Sequence, residues 1–230
     1  MNYCLTNITT NFLNNLETKH VILYADFNVI NYLYENKIEI PKGIQLYPDS
    51  TAVYFYLKYF LKNNCHKIVS TDLQYKMLEH LNKNSNSLFL FGDSDEILEK
   101  TKSNIAKNYP NVNIVGMKNG YQFDHQKIIK DINNFEPDIL LVGLGVGRQE
   151  KWILDNYKEI NCNLILAVGG WFQYLSGGKK RAPLFLRSLH LEWLYKLCHE
   201  FFRVWERYFI GIPKFFYRVF TKKIIIELKD

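Results

Sequence analysis

The sequence is poor in cysteine: Cys4, Cys65, Cys162 and Cys198 are the four in 230 residues, far apart and without a CxxC pair. That spacing encodes neither a zinc ribbon nor a disulfide framework and fits a reducing compartment. No apolar stretch approaches the roughly 18 to 20 residues that span a bilayer. The N-terminal stretch has no basic start followed by an apolar run and a small-residue cleavage site, which predicts no secretory signal. The histidines at 20, 66, 80, 125, 190 and 199 show no HxxxH or HxH spacing. A metal site and a serine triad therefore lack support, and neither a P-loop nor a GxSxG elbow is present.

Aromatic residues, in contrast, are abundant, with 16 Tyr, 16 Phe and 4 Trp. With 47% of residues hydrophobic and 23% charged, the chain can bury one substantial core, and disorder is excluded. The rings exceed what an interior needs, so some are expected to face a partner, a subunit interface as readily as a membrane. The net charge of +6 is unevenly spread: residues 1–178 hold 17 Lys and Arg against 18 Asp and Glu, whereas residues 179–223 hold 11 against 3. A basic, aromatic late segment on a neutral body predicts a surface that meets phosphate in a lipid headgroup, a lipid diphosphate or a nucleic acid.

Short apolar or β-branched runs at His20–Ala25, Lys67–Ser70, Ser87–Phe91, Val112–Val115, Asp138–Gly143 and Asn163–Val168 read as buried strands. Helical spacing lies between them, roughly over 49–63, 72–83, 94–108, 124–134 and 147–159. The alternation predicts a Rossmann-like α/β domain over 1–190, a parallel sheet with helices on both faces. Ligands of such sheets bind beyond the carboxyl ends of the strands, which draws attention to Asp26–Asn28, Ser70–Asp72, Gly92–Asp93, Gly116–Tyr121 (with Gly120), Gly143, Gly145–Glu150 and Gly169–Gly170. Beyond Pro183 the pattern turns aromatic, basic and helical. Phe201, Trp205, Tyr208, Ile212, Phe215 and Val219 form one stripe, and Arg203, Arg207, Lys214 and Arg218 another. Gly211 and Pro213 are expected to break or kink that helix. A C-terminal appendage, 191–230, is thus predicted either to lie on a membrane surface or to dock on its own domain with a solvated basic side.

Gly143-Leu144-Gly145-Val146-Gly147-Arg148 resembles a dinucleotide fingerprint, but Arg148 occupies the third glycine's place, and no acidic residue ends the next strand. Backbone amides there can still meet a phosphate, with Gln149 offering its amide to a nucleotide or sugar. Asp93-Ser94-Asp95 has the form of a cation-holding DxD, yet reads better as a helix cap at Asp93 with Glu96 three residues on. Asp72, after Ser70-Thr71, reads as a cap before a catalyst. Asp49, after Pro48 at the mouth of a helix, fits a cap or a general base for a sugar hydroxyl.

The ordered stretches PDILLVGLGVGRQEKWI (137–153), AVGGWFQYLSGGKKRAP (167–183), LEWLYK (191–196) and FRVWERY (202–208) carry a resemblance to the WecG/TagA/CpsF glycosyltransferase family, glycosyltransferase family 26. It runs from about residue 20 to 210. The resemblance implies an inverting enzyme that uses neither metal nor cofactor. Such an enzyme moves N-acetylmannosamine, its uronic acid or a related hexose from a UDP donor to a polyprenyl-diphosphate-linked sugar in cell-surface polymer synthesis. It also implies a peripheral position on the inner face of the bacterial cell membrane. Asp49 falls on the family's proposed base, and Asn28, Lys67 and Gln149 fall on donor-site positions, beside the strand-end residues Gly120, Tyr121, Gly143, Gly145, Gly169 and Gly170. Arg181, Lys196, Arg203 and Arg207 fall on cations expected to meet the acceptor or the membrane. The chain departs from the family pattern at Asp26 (threonine), Ser50 (glycine), Lys67 (arginine), Ser70 (glycine), Gly147-Arg148 (Pro-Lys) and Gln173 (aspartate). Two rivals follow from composition: a non-catalytic membrane-associated scaffold, and a nucleic-acid binder. The second is disfavoured because the cations flank a bulky apolar stripe.

Overall fold

The computed structural model of the protein describes residues 1–7, 13, 16–63 and 70–229. Eight strands are described: β1 (Asn2–Thr6), β2 (His20–Ala25), β3 (Ile44–Pro48), β4 (Ser87–Gly92), β5 (Asn113–Lys118), β6 (Ile139–Gly143), β7 (Leu164–Ala167) and β8 (Ile225–Lys229). They form one sheet in the order β5-β4-β6-β7-β2-β3-β1-β8, and every pairing is parallel. Parallel strands need crossovers, here supplied by α1 (Phe27–Glu35), α3 (Ser70–Asn84), α4 (Asp95–Asn108), α5 (His125–Phe135) and α6 (Arg148–Asn156), with a short α2 (Thr51–Phe55) after β3. The expected strands at 20–25, 87–91, 112–115, 138–143 and 163–168 all fall on elements of the sheet. In the sixth run Ser70 opens α3, and residues 67–69, Lys67 among them, lie outside the described residues. The helix expected over 49–63 is α2 followed by one wide π-helical turn over Tyr56–Phe60.

Period-two alternation splits the core into two layers. Val21, Leu23 and Ala25 of β2, with Leu140 and Val142 of β6, face one layer with α1, α5 and α6. Ile22 and Tyr24, with Ile139 and Leu141, face the other, with α3 and α4. Helices therefore cover both faces, as the continuous apolar runs require.

Beyond β7 come α7 (Trp171–Leu175), α8 (Leu184–Ser188), α9 (Glu192–His199), α10 (Phe201–Glu206) and α11 (Ile212–Phe220). The chain does not break at Gly211 and Pro213. It widens into a π-helical turn over Arg207–Gly211, and Pro213 sits in the first turn of α11, where a missing N–H costs nothing. The buried Asn31 side chain donates to the Gly211 carbonyl at 2.8 Å, satisfying an oxygen at the joint between the wide turn and α11. The apolar stripe also divides. Phe215 and Val219 pack into the core against α1 and Tyr56, whereas Phe201 and Trp205 stay exposed. After α11 the chain re-enters the sheet as β8, in register with β1. Among the described residues no helix is long and apolar enough to cross a membrane.

Candidate active site

The sheet's topology reverses beside β2. From β2 the chain runs through α1 to β3 on one side, while β7, reached from β6, lies against the other. The carboxyl ends of neighbouring strands then diverge into a crevice, the usual ligand position in open α/β sheets. Two adjoining cavities occupy it, of about 300 Å³ and about 170 Å³. Both are lined by Asp26, Asp49, Ser70, Thr71, Lys196, Arg207 and Tyr208, so the body supplies the floor and α9 and the wide turn after α10 supply the roof. The larger cavity is walled by Phe27, Phe55, Trp193, Ile212 and Phe216; the smaller holds Gln149, Gly169 and Gly170.

Asp49 follows the last residue of β3, its N–H reaching back to the Ala25 carbonyl at 3.3 Å. Its Oδ1 accepts from the backbone N–H groups of Ser50 at 2.9 Å and Ser70 at 3.3 Å, and its Oδ2 accepts from the Ser70 hydroxyl at 2.9 Å. The helix cap is Ser50, whose Oγ accepts from Val53 N–H at 3.4 Å, so Asp49 is not spent on capping α2. Burial pushes the Asp49 carboxyl above its ordinary range and the nearby Asp26 carboxylate pushes it further, partly offset by the hydrogen bonds from Ser70 and Ser50. Ser50 itself has φ 79° and ψ 149°, a backbone region that glycine occupies freely and other residues rarely do.

Asp26 caps α1, accepting from Asn28 and Val29 N–H at 2.8 Å each through Oδ1. Its other oxygen is paired with the Arg207 guanidinium. Burial works against charge on Arg207, but the Asp26 carboxylate, with Asp49 behind it, holds the guanidinium above its ordinary value. Lys196 is similar: burial lowers it, and Glu192, at 3.0 Å, together with the Tyr174 and Tyr208 phenols leaves it above its ordinary value.

The glycine-rich turn after β6 is held by Glu150. Its Oε2 accepts from Gly147 N–H at 2.5 Å and its Oε1 from Gln149 Nε2 at 2.7 Å. Burial raises its pKa to about 7. The Gln149 Oε1 accepts from Gly169 N–H at 3.0 Å, which ties the turns after β6 and β7 together. Gly147 has φ 87°, and a Cβ there would lie 2.8 Å from the Tyr32 ring.

Of the residues singled out from the sequence, Asp49, Gln149, Gly169, Gly170, Lys196, Arg203 and Arg207 come together around the crevice. Asn28 instead faces a separate groove beside Arg207 and Lys214. Gly120 lies further along the rim, bonding the Asp93 carbonyl and accepting from Arg148 at 2.8 Å, with Tyr121 beside it exposed. Gly143 ends β6 against the Phe172 ring, and Gly145 lies in the turn before α6, its carbonyl accepting from Gln149 N–H. Arg181 braces the roof: its Nη1 donates to Asp72 at 2.8 Å and its Nη2 lies 3.8 Å from Glu192. The expected cap at Asp72 is replaced by this contact and one to Arg187 at 3.3 Å. The cap of α4 is Ser94 rather than Asp93, because Asp93, at φ 46°, turns its carboxylate to Ser94 N–H and to Gln173 Nε2 at 2.7 Å. Asp95 accepts from Asn119 at 2.8 Å, so the two DxD carboxylates have separate partners. Among the described residues no three His, Cys, Asp or Glu side chains form a group that could hold a metal ion. Thr71, within the Ser70–Asp72 stretch expected there, also lines the crevice, as do Tyr24, Trp193 and Tyr208, whose spacing in the sequence carries no sign of this, since they come from one strand and two helical segments.

The site is thus a switch-point crevice of a parallel α/β sheet, with a buried carboxylate in its floor and cations in its roof. The chain belongs to the glycosyl transferase WecG/TagA/CpsF family, which it matches over residues 13–228. Two similar proteins, from Staphylococcus aureus strains MW2 and NCTC 8325 / PS 47, are named N-acetylglucosaminyldiphosphoundecaprenol N-acetyl-beta-D-mannosaminyltransferase. Each is 27% identical over 220 residues, covering 94% of this chain and 86% of the relative. The protein is thus a glycosyltransferase by family.

Proposed function

We propose that this protein transfers N-acetylmannosamine or a closely related hexose from a UDP donor to a sugar carried on a polyprenyl diphosphate, with inversion at the anomeric carbon. The observation that carries the reading is Asp49: a carboxylate in the floor shared by both cavities, held by Ser50 and Ser70, with its proton affinity raised by burial and by Asp26. A base is most effective when its pKa approaches the working pH. Asp49 takes the proton of the acceptor hydroxyl as that oxygen bonds to the anomeric carbon. The carbon–oxygen bond to UDP breaks, and the electron pair leaves with the diphosphate. Lys196, Arg203 and Arg207 lie where they can offset that charge.

The lipid-linked acceptor suits the apolar wall of the larger cavity. Outside it, Leu184, Phe185, Phe202 and Phe209 are among the most exposed large apolar side chains, with Phe202 92% exposed. They favour peripheral contact with the inner face of the cell membrane, an apolar set flanked by cations. The expected experiment is UDP release from UDP-N-acetylmannosamine with a polyprenyl-diphosphate-linked N-acetylglucosamine. Wild type turns over, and Asp49→Asn loses about 10²-fold to 10⁴-fold in kcat. Equal rates would remove Asp49 from the chemistry, and liposome binding with no turnover by wild type would favour a scaffold.

A further inference from the structure

Among the described residues that line the smaller cavity, three uncharged side chains each bury a polar atom with no hydrogen-bond partner, Tyr24 Oη, Thr71 Oγ1 and Trp171 Nε1, besides the Nε of the ion-paired Arg207. Their residues are 6%, 5% and 1% exposed and come from the end of β2, the first turn of α3 and the first turn of α7. All three line the cavity that Asp49 also lines. Buried polar groups are nearly always paired, and leaving one unpaired costs stability, so three at one cavity wall need an explanation.

We propose that Tyr24, Thr71 and Trp171 form the subsite that reads the acetamido group of the donor sugar. This rests on the sugar-transfer reading above and adds which part of the donor is recognised and by what. The indole N–H can only donate, whereas the two hydroxyls can donate or accept. An acetamido group offers the matching set: a carbonyl that accepts, an N–H that donates, and a methyl. The Tyr24 and Trp171 rings, 6.2 Å apart between centroids, and the Thr71 methyl supply an apolar surface for that methyl. A carboxylate, as in a uronic acid, fits this wall less well. None of the three side chains carries a positive charge to pair with one. Burial together with the nearby charge of Asp49 keeps the Tyr24 phenol protonated, so its hydrogen stays available to a ligand. The same proximity puts the bound sugar beside the base.

The test uses the full-length protein with Tyr24→Phe and Thr71→Val, which remove the hydroxyls and keep nearly the same shape. Two quantities are measured: kcat/KM for UDP-N-acetylmannosamine, and the dissociation constant of UDP alone. Each variant is expected to lower kcat/KM about fivefold to tenfold, the size of one neutral hydrogen bond, with UDP affinity within twofold of wild type. Because neither hydroxyl has a partner within the protein, the melting temperature is expected to hold or rise. A kcat/KM within twofold of wild type, an equal fall in UDP affinity, or a lowered melting temperature overturns the subsite. A wild type that binds no UDP and turns over no donor overturns the sugar-transfer reading itself, and the subsite with it.

Discussion

At the scale of single residues, the crevice combines one strained backbone and one misplaced charge. Ser50 stands in a glycine-favouring conformation next to the proposed base, a strain of about 1–3 kcal/mol. Its hydroxyl returns part of that by capping α2, and glycine at this position would lose only a few tenths as a cap while adding unfolded-state freedom. Ser50→Gly is therefore expected to stabilise the protein by about 1 kcal/mol, read as a rise in the urea midpoint at constant slope. Asp26 acts on Asp49 through its charge. After burial, it is the main influence holding the Asp49 proton. An Asp49 with a raised pKa is ionised only above that pKa, so transfer fades as pH falls through it. In Asp26→Asn the pKa drops, and the acidic limb of the kcat/KM profile moves to lower pH; a limb that stays or moves upward would contradict the coupling. Asp49 was legible in the sequence as a carboxylate at a helix mouth, with two roles open. The Asp26–Arg207 pair was not, because 181 residues separate its members and no local pattern marks them.

At the scale of elements, legibility follows burial for most strands, the exceptions being β3, an interior strand that the apolar runs do not single out, and β5, an edge strand that they do. β2, β4, β6 and β7 lie inside the sheet, covered on both faces, and so appear as continuous apolar runs. β1 and β8 alternate buried with more exposed positions over five residues each, too short and too mixed to be distinguished from loop. α1 was missed because β2 passes into it through a single capping residue, Asp26, leaving no turn to punctuate the boundary. The stripe after Pro183 is helical as the spacing predicts, and of its two expected partners Phe215 and Val219 meet the protein's own core. Within the turn before α6, Gly147 is set by geometry on two counts, its positive φ and the Tyr32 ring against its α-carbon. Gly147→Ala is expected to cost about 2 kcal/mol. It should also reduce turnover, since the Glu150–Gln149–Gly169 chain that shapes the smaller cavity starts at the Gly147 N–H. Urea unfolding and UDP release check the two effects separately.

At the scale of the whole molecule, the sheet's outermost pairing joins β8 to β1, and Ile224 and Ile226 are 1% and 3% exposed. Deleting residues 224–230 would uncover those contacts and leave β1 as an open edge. The expected loss is about 3–6 kcal/mol from the two isoleucines alone, with concentration-dependent aggregation through the bare strand; thermal melting and light scattering check it. The path of the chain has a further consequence. It leaves the sheet at β7, arches over the crevice through α7 to α11, and is moored again at β8, four places away in the same sheet. An arch with two footings has no free end to swing. Any surface that grips the rings of Phe185, Phe202 and Phe209 at its outer side holds the footings as well, and so sets the tilt of the entire sheet, turning the mouth of the crevice toward whatever does the gripping.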